Sequence, residues 1–183
     1  MKRVCVYCGS KHGTNPAYRA AAAELGTLLA RRGIGIVYGG GNIGLMGTLA
    51  DAALAAGGQV TGVFPELFDR KVLHAGLSET LIVRTMHERK AEMERLADGF
   101  IALPGGWGTL EEVCEAVTWA QLEIHAKPCG LLNVAGYFDA FLTFLGHAVA
   151  EGFIYAPHRA RLHAATDPAA LLALMGRPGR PAP

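Results

Sequence analysis

The sequence predicts an α/β fold, a Rossmann-like three-layer αβα sandwich around a parallel central sheet. Three observations carry that expectation. Short apolar runs alternate along the chain with stretches of helical periodicity. Three of these runs empty into glycine-containing turns, at Gly9-Ser10, Gly39-Gly40-Gly41 and Gly105-Gly106-Trp107-Gly108. Parallel sheets of this kind bind ligands at the carboxyl ends of their strands, so the turns are expected to border one crevice. The length of 183 residues suits a single domain, here residues 1–175, with a sizeable core.

Taken in order, residues 2–8 (Lys-Arg-Val-Cys-Val-Tyr-Cys) read as a first strand. Pro16 fits the first position of a helix capped by Thr14 or Asn15; Leu25, Leu28 and Leu29 give it an apolar stripe, and Gly33 stops it. A second strand, 34–38, enters the triple glycine, and a small-residue helix follows to about 56. A third strand covers 59–64, an irregular loop 65–78, and a fourth strand 80–84. The charged segment 86–97 has helical period and leads to a buried strand at 99–103. Beyond the third turn come a helix at 110–124, a strand at 128–133, an aromatic-rich helix at 137–150 and a last short helix at 167–175. Residues 176–183 (Gly-Arg-Pro-Gly-Arg-Pro-Ala-Pro) read as a disordered tail.

Composition narrows the function classes. A formal net charge of +1 gives no reason to expect a nucleic acid or a membrane surface as partner. A hydrophobic fraction of 51% and a mean hydropathy of +0.24 are rich for a soluble monomer, so part of the apolar surface is expected to be covered in a homodimer. The apolar run after Met1-Lys2-Arg3 stops at Gly9, too short for a signal-peptide core, and a cytoplasmic location is the expectation. Cys5, Cys8, Cys114 and Cys129 fit reduced thiols. Cys5 and Cys8 form a C-x-x-C, but residues three apart in a strand point to opposite faces, so no metal is expected there.

Chemistry concentrates after the fifth strand, in Pro104-Gly105-Gly106-Trp107-Gly108-Thr109-Leu110-Glu111-Glu112. Glycines let the backbone approach a ligand, and the free N–H groups of a first helical turn point at an anion. Thr109 adds a hydroxyl. A phosphate cradle alone has no need of the carboxylates that follow. Glu112 also fits a capping box with Thr109, while Glu112, Glu115 and Trp119 share a helical stripe that reads as a site wall. In the segment 86–97, Arg89 falls among Met86, Met93, Leu96 and Ala97 on the apolar stripe, close to the helix start. Either its head snorkels to water or the guanidinium meets an anion in the crevice. A cation gains nothing from the dipole at that end, which favours the second use. Lys90 lies at the edge of the same stripe.

Other motifs are weaker. Gly39, Gly41 and Gly44 match G-x-G-x-x-G, but after the second strand and with no acid ending the third, so a dinucleotide is not expected. The glycines equally serve a tight turn and close helix packing. Neither glycine-rich turn carries a Walker lysine. His87 and His125 read as structural histidines near the motifs.

The run Met86-His87-Glu88-Arg89-Lys90-Ala91-Glu92-Met93, followed by the glycine motif through Glu112, resembles the LOG (Lonely Guy) family of cytokinin riboside 5′-monophosphate phosphoribohydrolases. The resemblance extends through Cys8-Gly9-Ser10, residues 38–47, Thr118-Trp119-Ala120-Gln121-Leu122 and Gly130-Leu131-Leu132-Asn133. It implies an N-glycosyl hydrolase that acts on a purine nucleoside 5′-monophosphate, either N6-prenylated adenine or AMP, with no cofactor. Arg89 and Glu112 would be catalytic. Lys90, Gly106, Trp107, Gly108, Thr109, Leu110, Glu111 and Thr118 would contact the nucleotide, with Gly9, Ser10, Gly40, Gly41, Met46, Gly105 and Glu115 completing the pocket. Lys71 is a departure, because the family pattern has a glutamate in that loop. Members also carry the label lysine decarboxylase, which would demand pyridoxal phosphate on a lysine. A non-catalytic nucleotide or cofactor carrier on the same fold is the alternative.

Overall fold

The computed structural model of the chain describes residues 1–176. Seven strands form one all-parallel sheet: β1 (Arg3–Tyr7), β2 (Gly35–Tyr38), β3 (Val60–Pro65), β4 (Glu79–Val83), β5 (Phe100–Ala102), β6 (Cys129–Leu132) and β7 (Leu162–Ala165). Their order is β4-β3-β2-β1-β5-β6-β7, so the direction of winding reverses between β1 and β5. Seven helices surround the sheet: α1 (Pro16–Arg31), α2 (Gly44–Ala55), α3 (Met86–Leu96), α4 (Trp107–Gln121), α5 (Asp139–Ala150), α6 (Ala156–Arg159) and α7 (Pro168–Met175).

The strand pleat sorts the core into two layers. Val4 and Val6 pack on one face with Leu25 and Leu29 of α1, Leu45 and Leu49 of α2, and Leu171 and Leu172 of α7. Cys5 and Tyr7 pack on the other with Met93 of α3, Val113 and Ala116 of α4, and Phe138 leading into α5. Cys8 returns to the first layer, so Cys5 and Cys8 face opposite cores as the pleat requires. Among the described residues no helix is long and apolar enough to cross a membrane.

Local chemistry sets the element ends. The Asn15 side chain accepts from the Ala17 N–H at 3.0 Å with Pro16 in the first turn, and Thr85 caps α3 by accepting from the Glu88 N–H at 3.0 Å. Three expectations need correction. Residues 162–165 (Leu-His-Ala-Ala) form an edge strand and 156–159 a short helix, both unread because the stretch has no β-branched residue and no clear period. The helix expected at 110–124 is α4, beginning three residues earlier on an uncapped glycine turn and ending at Gln121. The aromatic helix begins at Asp139, after a 3₁₀ turn at Val134–Gly136. The stretch 65–78 is an irregular loop as expected, with a 3₁₀ turn at Arg70–Val72 and a bridge from Leu73 to Gly41. Of the expected tail, Gly176 closes α7 and residues 177–183 lie outside the described residues.

Candidate active site

The reversal between β1 and β5 opens a crevice at the carboxyl ends of the strands, where α/β sheets hold ligands. Three glycine turns meet there. The Gly9 N–H donates to the Pro104 carbonyl at 3.1 Å, which ties the β1 turn to the β5 turn. The Leu45 N–H donates to the Gly9 carbonyl at 3.0 Å, which ties it to the start of α2. Gly44, at φ +64°, lies so close to Ser10 that a Cβ would sit 2.2 Å from its carbonyl carbon. The loop after β3 is fastened to the β2 turn: Asn42 Nδ2 donates to the Lys71 carbonyl at 2.9 Å, and the His74 N–H donates to the Gly40 carbonyl at 2.9 Å.

The β5 turn forms the open wall. Gly105 is packed, since a Cβ there would sit 2.1 Å from Thr109 Oγ1 and 2.9 Å from the Gly9 nitrogen. Gly106 and Gly108 have nothing within 4 Å of that position, which is room for a ligand. Gly106 is the N-cap of α4 and supplies no side chain to its first turn, so those N–H groups are available to an anion. Thr109 is buried beneath them, and Trp107 stands 89% exposed at the rim. Because α4 starts at Trp107, Thr109 already lies inside the helix and is not its cap. The capping-box reading of Glu112 therefore falls away.

Arg89 and Glu112 face this space from two helices of the same layer. Arg89 is 9% exposed, which removes the snorkelling alternative. Its Nε donates to the Val63 carbonyl at 3.2 Å, and its Nη2 lies over Gly39, where a Cβ would come within 1.8 Å. Among the described residues no carboxylate forms an ion pair with it. Glu112 is half-buried and makes no hydrogen bond or ion pair among the described residues. Burial pushes its carboxyl up to about 7, with the charge of Arg89 pulling the other way, Glu111 pushing up and Lys90 pulling down. A carboxyl that changes charge near neutrality, opposite a buried guanidinium, suits acid–base work.

Residues 46–175 match a family described as "Possible lysine decarboxylase". A rice (Oryza sativa subsp. japonica) protein named probable cytokinin riboside 5′-monophosphate phosphoribohydrolase LOGL9 is 53% identical over 173 residues, 94% of this chain and 76% of its own. The Arabidopsis thaliana protein named cytokinin riboside 5′-monophosphate phosphoribohydrolase LOG7 is 54% identical over 155 residues, 84% of this chain and 71% of its own. This chain belongs to the LOG family. The fold extends further than the family's sequences. A molybdenum cofactor binding protein from Rippkaea orientalis superposes with a TM-score of 0.71 at 22% identity, covering 95% of both chains. The molybdenum cofactor carrier protein of Chlamydomonas reinhardtii gives 0.70 at 22%, covering 96% of this chain and 98% of that one. At this identity the likeness concerns the fold alone.

Within this LOG-family crevice the remaining expected residues divide. Ser10 sits exposed at the rim. Gly40, at φ +78°, packs on Phe64 and Leu73, and Gly41 on Met46; these line the wall behind Arg89 rather than an open surface. Lys90 is held by two carboxylates of α4, with an ion pair to Glu111 and another to Glu115 at 2.8 Å. Burial works against its charge, but these hydrogen bonds outweigh it and raise its pKa. Leu110 turns partly into the core beside α5. Thr118 lies nine residues beyond Thr109, about 13 Å along the helix. Its hydroxyl donates to the Cys114 carbonyl, and it lines an apolar groove between α4, α5 and α6 rather than the crevice of its own chain. Lys71 is exposed, with its carbonyl on Asn42. His125 is a core residue with its ring tilted against Phe100, and His87 is exposed. The sequence marks Gly39 only as part of a crevice turn; that it gives the Arg89 guanidinium its space depends on a helix fifty residues away.

Proposed function

We propose that the crevice hydrolyses the N-glycosidic bond of a purine nucleoside 5′-monophosphate, releasing the free base and ribose 5-phosphate. The observation that carries this reading is the couple of Arg89 and Glu112, neither of them in an ion pair among the described residues, set beside a cradle of free N–H groups. The names of the LOG-family relatives supply the substrate class, an N6-prenylated adenine nucleotide, with AMP as the simpler candidate.

In this reading the phosphate rests on the first turn of α4 with the Thr109 hydroxyl, and Gly106 and Gly108 leave it space. The bond from C1′ to the base breaks through an oxocarbenium-like sugar. The Glu112 carboxylate stabilises that positive charge and takes a proton from the water whose oxygen bonds to C1′; the departing base takes a proton from solvent, and Glu112 returns its own to solvent to reset the site. Arg89 supplies fixed positive charge for the phosphate end. Lys90, tied to Glu111 and Glu115, holds α3 against α4 and so keeps the couple in place. Pyridoxal phosphate, which a lysine decarboxylase would need, does not fit: Lys90, the lysine the sequence offers to the site, is kept as an ammonium between two carboxylates.

The groove between α4 and α5, lined by Val117, Phe141, Leu145 and Ile154, is the face on which we place a second copy in a cytoplasmic homodimer. Exposed Phe144, Phe153 and Tyr155 add to that apolar surface. One preparation tests the whole reading. Light scattering is expected to give twice 19.3 kDa. Incubation with AMP and with isopentenyladenosine monophosphate is expected to release base and ribose 5-phosphate from at least one. Tight binding of both with no release would favour the carrier.

A further inference from the structure

The carboxyl end of β6 carries a strained turn with no part in the chemistry described so far. Ala135 has φ +50° and Gly136 φ +71°, two successive left-handed residues of which one has a side chain. Such backbone persists only where its surroundings enforce it. Here they do. Buried Asn133 donates from Nδ2 to Asp139 Oδ1 at 2.7 Å, and its Oδ1 accepts from the Phe138 N–H at 2.7 Å. Gly136 leaves no space for a Cβ, which would meet Asp139 Oδ2 at 2.5 Å.

The residue this turn delivers is Tyr137. Its hydroxyl donates to the Gly105 carbonyl, thirty-two positions away in the β5 turn. Its ring is braced edge-on by Tyr18 of α1, with centroids 5.5 Å apart, and by Phe138 at 5.0 Å. Gly13 in turn packs on the Tyr18 ring, where a Cβ would come within 2.8 Å.

In a trans peptide the carbonyl of one residue and the N–H of the next point in opposite directions. A phenol that draws the Gly105 carbonyl to one side therefore turns the Gly106 N–H to the other, where Gly106 and Gly108 face open space. We infer that Tyr137 is a positioning residue for the ligand's phosphate, acting through the Gly105–Gly106 peptide from a turn built to hold it. The inference rests on reading the start of α4 as the phosphate cradle.

The test is calorimetric binding of ribose 5-phosphate and of adenosine to the wild type and to Tyr137→Phe. Neither ligand needs turnover, and the variant keeps the ring and its packing. The expected result is about tenfold weaker binding of ribose 5-phosphate, or about 1.4 kcal/mol, with adenosine unchanged. Equal affinities for ribose 5-phosphate in the two proteins would overturn the role of Tyr137 and leave the cradle standing. Equal weakening of both ligands would reduce Tyr137 to a support of the fold. A wild type that does not bind ribose 5-phosphate would overturn the cradle itself, and the inference with it.

Discussion

The glycine turn after β2 is full, and the one after β5 is open beyond its packed first glycine, Gly105. A Cβ on Gly39 would strike the Arg89 guanidinium, one on Gly41 the Met46 side chain, and one on Gly40 would press on Phe64 and Leu73. A Cβ on Gly106 or Gly108 would meet nothing. Both turns follow strands beside β1, and both look like ligand loops in the sequence. They divide the labour: the first brings a buried cation up to the crevice, and the second leaves donors bare beneath a helix that carries the carboxylate. Glycine is used in one for close approach within the chain and in the other for the absence of anything in the way.

The largest expected effect tests the charge above the open turn. Glu112→Gln is expected to lower kcat on the order of a hundredfold or more, checked by steady-state product release. The same change should stabilise the fold at alkaline pH. The folded pKa of Glu112, about 7, lies above its ordinary 4.5, so its contribution to stability is fully present below pH 4.5 and is lost as pH rises through 7. Discounted for partial exposure, the variant should be more stable than wild type by about 2 kcal/mol at pH 8 and equal to it near pH 4, in urea melts.

Next comes the full turn. Gly39→Ala places a methyl 1.8 Å from Arg89 Nη2, so the guanidinium must move. Turnover should fall roughly tenfold to a hundredfold, and stability by about 1–3 kcal/mol. The smallest effect belongs to the open turn. Gly106→Ala should change stability by no more than about 0.5 kcal/mol while raising KM for the nucleotide by roughly threefold to tenfold. If the two glycine variants lost stability equally, the contrast between the turns would be wrong.

Much of this was legible in the sequence. Strands that are apolar throughout and end in glycine announce a parallel sheet, and Arg89 betrayed itself as a charge on an apolar stripe. The β5 turn was legible because glycines and a threonine preceding a helix have few other uses. What stayed hidden depends on partners remote in sequence. Lys90 looks free until α4 brings Glu111 and Glu115 against it. Tyr137 looks like the first residue of an aromatic helix until the turn before it is seen to aim it at Gly105. β7 has too little side chain to announce itself, and its place at the sheet edge comes from pairing with β6.

The reversal of strand order between β1 and β5 also has a consequence for how the chain is made. β1 acquires its first neighbour, β2, within about thirty residues, but its second, β5, only after residue 100 has been added. Until then a growing chain presents one side of its central strand with its hydrogen-bonding groups unsatisfied, the kind of surface that pairs with the wrong neighbour. The crevice lies at that same seam, with Gly9 and Arg89 on the earlier part of the chain and Gly106 and Glu112 on the later part. Neither part has a complete ligand site alone. A nucleotide held as proposed would bridge them and bind only the finished sheet, and so draw the folding equilibrium toward completion.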